Sequence, residues 1–301
     1  MTRPKILDIK MMSNKFLQPM VLIGGAIIAS IILTLISPGA TIDKVEFQTR
    51  VMEVCGDTRF LWVPDALDLA NSVDASPNNT LITHTAPMTM VSQGNSALVR
   101  FNGTSAVHYA PNHPGYSFGN GKRDYPFTLV SLARIINNDA SANLMSKYSS
   151  HIGNPKAEWE WFFYGANSSP DVAGTLVITL NHSNTEIWIG QRANERIEFA
   201  VLTLWGMTYD GSSSVDGMQQ YKNGRRISTW PFSHRDSEYV AMQPMDEPLR
   251  IGSNINTEGN PSDHWIGDRG FDLVCGRELS AEDMNEIKIL VNQFFGLSLG
   301  S

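Results

Sequence analysis

The sequence predicts an all-β body of antiparallel strands closed by one C-terminal helix. Three observations carry that prediction. Short β-favouring runs recur between clusters of Gly, Pro, Asn and Ser, at the spacing of antiparallel sandwiches. Gln219-Gln220-Tyr221-Lys222 leads into Asn223-Gly224, a strong hairpin signal because both residues tolerate the positive φ of a primed turn. Ser280, with Asp283 three residues on, has the pattern of a helix N-cap; Leu279 and Met284 can staple it, and Gly296 can close it in αL geometry.

With 301 residues and 42% hydrophobic content, the chain can bury one large core without needing a second full domain. Only 18% of residues are charged, against 24 Gly and 15 Pro, a composition suited to an extracytoplasmic or viral β protein. Net charge is -7; residues 1–15 carry Arg3, Lys5, Lys10 and Lys15 against Asp8, so the +3 there leaves -10 for the remainder. A body that acidic is not expected to bind nucleic acid, which needs clustered Lys and Arg to neutralise phosphates.

Residues 1–15 form a basic tail, and residues 16–36 (FLQPMVLIGGAIIASIILTLI) contain no charge. At 1.5 Å rise per residue that stretch crosses about 30 Å of hydrocarbon as a single helix. The basic tail favours an inside N-terminus, which places the body on the extracytoplasmic side. A retained membrane anchor is the preferred reading; a cleaved signal peptide and a helix buried against other chains stay open.

The body divides into a connecting strand and loop region, 41–96, and a sandwich, 97–301. Thr41 to Cys55 shows period-two alternation, with Val45, Phe47 and Val51 on one side, and is expected to be a half-buried strand. Phe60-Leu61-Trp62-Val63 is a shorter strand candidate, and Asp65 to Pro87 is expected to be irregular. Ala97 to Tyr109 is expected to be a hairpin turning at Asn102-Gly103, followed by a strand at Tyr125 to Val130. Leu144 to Tyr148, Ala157 to Tyr164, Gly174 to Leu180 and Glu186 to Gly190 supply four more strands. Ile197 to Thr203 alternates apolar with polar, and Tyr209-Asp210-Gly211-Ser212 turns the chain. Leu249-Arg250-Ile251-Gly252 and Gly270 to Val274 precede the helix, whose stripe Met284, Ile287, Val291 and Phe294 is expected to pack on the sandwich.

That succession, from the Phe101-Asn102-Gly103 block through Phe127-Thr128 to Leu279-Ser280-Ala281-Glu282-Asp283 and Phe295-Gly296-Leu297, resembles the laminin-G-like branch of the concanavalin-A-like lectin and glucanase superfamily. It is similar to domains of that kind in phage and bacterial surface proteins and covers about Ala97 to Leu297. The resemblance implies a jelly-roll sandwich. Phe199 stands where the family commonly has Trp, which weakens a finer subfamily assignment. In such sandwiches the first and last strands often lie side by side, so a disulfide between Cys55 and Cys275 and two buried free thiols are both open. The family also implies calcium, for which Asp139 and Asp171 are oxygen-rich loop candidates.

Members that hydrolyse glycans carry paired acids on one strand face, and Glu158-Trp159-Glu160-Trp161 is the nearest approach, since residues two apart project to one side. The plainer reading, the polar face of an ordinary strand, is preferred. No nucleophile elbow, phosphate loop or zinc helix is present, so the chain is not expected to be an enzyme. Asp263-His264-Trp265 and the loop from Trp230 to Asp236, with Trp230 and His234, offer acceptors beside indoles that could hold a sugar; as ordinary loops they would only pack their Trp on the rim. The preferred expectation is a membrane-anchored recognition module for a glycan or surface protein. A structural virion protein contacting other virion subunits, and a glycan hydrolase or lyase, are the alternatives.

Overall fold

The computed structural model describes residues 41–301 except 65–72, 85–88, 95, 104–107, 138, 152–155, 171, 183–185 and 301. The basic tail (1–15) and the apolar segment 16–36 lie outside the described residues. Among the described residues no helix is long and apolar enough to cross a membrane.

Helix α1 (Lys44–Cys55) precedes strands β1 (Thr58–Trp62), β2 (Thr83–His84), β3 (Thr89–Gln93), β4 (Ser96–Asn102), β5 (His108–Ala110), β6 (Phe127–Ile135), β7 (Ala142–Ser149), β8 (Lys156–Phe163) and β9 (Thr175–Asn181). Then come β10 (Trp188–Arg196), β11 (Thr203–Tyr209), β12 (Met218–Lys222), β13 (Arg225–Ile227), β14 (Thr229–Pro231), β15 (Leu249–Ile251), β16 (Asn254–Ile255), β17 (Pro261–Ser262), β18 (Ile266–Cys275) and helix α2 (Ala281–Phe295). One sheet runs β13-β12-β11-β6-β18-β4-β3, with β1 also on β18. The other runs β14-β10-β9-β8-β7-β15-β5-β2, with β16 and β17 attached to β7. Apart from the single β16–β7 contact, which is parallel, the pairings are antiparallel.

Alternation along the strands builds two cores. Trp159, Trp161 and Phe163 from β8 meet Trp62, Phe101, Phe127 and Leu129 from the other sheet in the space between the sheets. Residues of opposite parity on the first sheet, Leu61, Val130, Leu132, Phe271 and Leu273, face the two helices instead. There Phe47 of α1 stacks on Phe294 of α2 at 4.6 Å between centroids and meets Phe271 edge-on at 5.6 Å. The layers are therefore helices, sheet, sheet, and the outer face of the second sheet is left to loops.

Helix α2 forms as its sequence predicts: the Ser280 hydroxyl accepts from Asp283 N, the Asp283 carboxylate accepts from Ser280 N, and Gly296 sits at φ 63°. The Asn223-Gly224 hairpin joins β12 to β13. The strand expected over Thr41 to Cys55 is helix α1. Phe47, Val51 and Cys55 recur every fourth residue and are its buried residues, while Val45 is 71% exposed. Asp43 caps it by accepting from Glu46 N at 2.8 Å, and a helical stripe read at every second residue imitates a strand.

Two further expectations change. The block from Ala97 to Tyr109 is no hairpin: β4 lies between β18 and β3 in the first sheet, whereas β5 pairs with β15 and β2 in the second, so the chain crosses between sheets. Ile197 to Leu202 is a loop in which Ala200 adopts φ 59° and Phe199 is half exposed; the strand begins at Thr203. Residues of the connecting region are built into the sandwich, β1 on β18, β2 on β5 and β3 on β4. Cys55, which ends α1 and not a strand, and Cys275 of β18 are joined by a disulfide.

Candidate functional site

On β8, Trp159, Trp161 and Phe163 point into the core, so Glu158, Glu160 and Phe162 point to the outer face of the second sheet. Register carries that face across the neighbouring strands in three rows. Phe162, Val177 and Arg192 line up with Trp230; Glu160, Thr179 and Gly190 line up with Phe232; Asn181 and Trp188 line up with His234. A Cβ on Gly190 would lie 2.3 Å from the Ile178 carbonyl oxygen and 2.9 Å from that of Phe232. The glycine thus lets the segment after β14 close against β10.

The two carboxyls on this face have different surroundings. Glu158 is sealed: it accepts from Ser117 Oγ at 2.9 Å and Phe118 N at 2.8 Å, and Lys147 Nζ lies 3.2 Å away. Lys147, also fully buried, donates to Asn112 Oδ1, Ser117 Oγ and the Met245 carbonyl, which ties two loops over that end of the sheet. Glu160 lines an open pocket of about 160 Å³ with Tyr148, Phe162, Tyr164, Thr179, Asn181, Trp188 and Phe232. Its carboxyl accepts from the side-chain amides of Asn143 and Asn254. Burial, reinforced by the like charge of Asp263, pushes its pKa up to about 8, and the two amides only partly oppose this. At neutral pH the pocket floor is therefore an uncharged acid able to donate as well as accept.

The rings form a continuous chain. Phe162 and Tyr164 are 5.1 Å apart, Tyr164 and Phe232 6.0 Å, Phe232 and Trp188 4.7 Å, and Trp188 and His234 6.3 Å. Burial raises the Tyr164 hydroxyl pKa, with Glu160 adding to the shift and Arg192 opposing it, so the phenol stays protonated. Such a surface can stack the apolar face of a ring while hydroxyl, amide and acid groups beside it read polar substituents.

The sequence-predicted residues fall in three places. Trp230, 59% exposed, and His234, whose Nδ1 lies 2.7 Å from the Glu186 carbonyl oxygen, flank the groove on the β14 side. Asp263 stands by Glu160 on the opposite flank, its carbonyl accepting from Asn143 N at 2.9 Å; His264 beside it is half-buried. Trp265 is a core residue, 1% exposed, packed 6.1 Å from Phe163 and covered by Arg269 at 5.2 Å, so it is not a platform for a ligand. Being one residue from His264 near the start of β18, it takes the opposite, inward side.

Asp139 and Asp171 are the calcium candidates. Asp139 is an exposed turn former whose carboxylate accepts from Asn137 Nδ2, and Asp171 lies outside the described residues. Among the described residues no three His, Cys, Asp or Glu gather as metal ligands.

No protein-family model matches the chain, and no curated protein matches it in sequence. Solved structures do match in shape. The binding domain of Paraclostridial Mosquitocidal Protein 1 aligns with TM-score 0.54 and 13% identity, over 78% of this chain and 52% of that one. The botulinum neurotoxin serotype D binding domain aligns with TM-score 0.54 and 9% identity, over 79% and 52%. A structure of botulinum neurotoxin type C, whose cell entry depends on interaction with two ganglioside molecules, gives TM-score 0.54 and 13% identity over 78% and 51%. The likeness is one of fold. This chain spans about half the length of the structures it matches, and the shared feature is a two-sheet β sandwich; the laminin-G-like branch is not singled out.

Sequence reasoning missed Phe162, Tyr164, Thr179, Asn181, Trp188, Arg192 and Phe232 as a group. Their shared signal is parity: each is an outward position on a strand or strand end whose alternate residues are core, and only the register between strands brings them together.

Proposed function

We propose that the chain is a non-enzymatic recognition module that binds a glycan in the groove on the outer face of the second sheet. The observation that carries this reading is the run of rings from Phe162 to Trp188 beside Glu160, Thr179 and Asn181. Sugar rings offer an apolar face for stacking and hydroxyls for acid and amide partners. The fold shared with toxin binding domains supports binding over catalysis, and the ganglioside dependence of the type C neurotoxin supports a glycan. Against hydrolysis, among the described residues lining the pocket Glu160 alone bears a carboxyl, whereas paired-acid mechanisms need two astride the scissile bond. The order of sequence blocks supports placing the sandwich in the laminin-G-like branch.

Screening the protein on a glycan array, followed by calorimetry on the hits, tests the reading. Trp188→Ala and Phe232→Ala are expected to weaken binding by about 2 kcal/mol or more each, as buried aromatic anchors do, with no product released from bound glycan. Binding that ignores both substitutions sinks the groove reading, and turnover abolished by Glu160→Gln sinks the non-enzymatic one.

We further propose that residues 16–36 anchor this module in a membrane with its body extracytoplasmic, supported by their length and lack of charge. Extraction from membranes by alkaline carbonate, or stoichiometric recovery in virus particles without a membrane fraction, would contradict that placement.

A further inference from the structure

Arg192 stands at the open edge of the groove, outward on β10, directly opposite Trp230 on β14 and Val177 on β9. Among the described residues its guanidinium has neither a hydrogen bond nor an ion pair. Other cations around the groove are engaged: Lys147 with Glu158, Arg235 with Glu238, and Arg250 with Glu247. The indole opposite Arg192 is largely exposed, and the Tyr164 phenol lies within electrostatic reach of Arg192 and of Glu160. One end of the groove thus holds a half-buried cation without a counter-charge beside an open aromatic face.

We propose that Arg192 and Trp230 form a subsite for an acidic sugar residue, its carboxylate or sulfate taken by the guanidinium and its apolar face by the indole. The adjoining neutral residue of the same glycan then occupies the pocket that Trp188 and Phe232 line with Glu160. A planar guanidinium matches either anion through two parallel N–H donors, and a rigid indole adds contact at small entropic cost. The other acid-bearing group in the groove, Glu160, does not oppose an anion while it holds its proton. This subsite rests on the glycan reading above.

The test titrates the protein with three oligosaccharides of equal length: one of uronic acids, one sulfated, and one neutral. Wild-type protein, Arg192→Gln, Arg192→Lys and Trp188→Ala are compared at low and high salt, with folding checked by circular dichroism. At least one acidic probe is expected to bind wild type about tenfold or more tighter than the neutral one, the scale of a charge-assisted hydrogen bond. Arg192→Gln should erase that preference, and Arg192→Lys should recover part of it. High salt should shrink the gap. The acidic probe that carries the preference tells carboxylate from sulfate. Equal affinities in wild type, or a preference that survives Arg192→Gln, overturn the subsite; if Trp188→Ala still weakens binding in those cases, the glycan groove stands. Absence of binding by all three probes overturns both.

Discussion

Lys147 and Glu158 form an ion pair, Nζ to Oε2 3.2 Å, with neither side chain reached by solvent. The pair lies under loops that Lys147 holds at Asn112, Ser117 and Met245. Removing one partner leaves an uncompensated buried charge, so Glu158→Gln is expected to destabilise the fold by about 3–5 kcal/mol. The double change Lys147→Met with Glu158→Leu should cost less than the two single changes added together. Urea unfolding of the four proteins measures this coupling; additive effects would mean that the pair is not a structural unit.

The Cys55–Cys275 bond closes a loop with a sequence separation of 220 residues and fastens the end of α1 to β18. Cross-links over loops of that size restrict the unfolded chain, with an effect on the order of 3–5 kcal/mol. Cys55→Ala with Cys275→Ala should lower stability by about that amount. Helix α1 keeps Phe47 against Phe294, so it should still dock. Hydrogen exchange across 44–55 reads both parts, and unprotected amides there in the variant would show that the disulfide alone holds the helix.

Glu160 gives a pH dependence whose sign is set by its raised pKa. The native state holds the proton up to about pH 8, while the unfolded chain releases it near the ordinary value of 4.5. The native state therefore binds more protons across that interval, and stability falls as pH rises through it, levelling above. Asp74, Asp124 and Asp263 are raised by burial too, so the difference between wild type and Glu160→Gln isolates this residue. Glu160→Gln is expected to gain on wild type by on the order of 2–4 kcal/mol between pH 5 and pH 9, since the gap should follow the proton it removes. Parallel stability curves for the two proteins would place the Glu160 pKa at its ordinary value.

What the sequence made legible is local. The Asn223-Gly224 turn and the Ser280 capping box are set by neighbouring residues, and both form as expected. Trp230 and His234 are local in the same sense, lying on one segment, each two residues from Phe232 and on the same outward side. Where two periods compete, local pattern misleads: Phe47, Val51 and Cys55 suit a helix, and the alternation around them suits a strand. The crossover after β4 depends on which edge β5 finds, which Asn102-Gly103 does not encode. The groove is the extreme case, because Phe162, Thr179, Trp188 and Phe232 come from separate strands or their ends and only pairing register aligns them.

A glycan bound in the groove meets the chain at Trp188. The seven tryptophans allow a direct reading, since Trp62, Trp159, Trp161, Trp205 and Trp265 are buried while Trp188 and Trp230 face the groove. Indole N–H resonances of ¹⁵N-labelled protein, assigned by single Trp→Phe substitutions, are followed as a glycan from the array is added. Saturable shifts of the Trp188 signal are expected, accompanied by Trp230 for an acidic glycan, with the five buried indoles unmoved. A bound glycan that leaves Trp188 unshifted would contradict that contact.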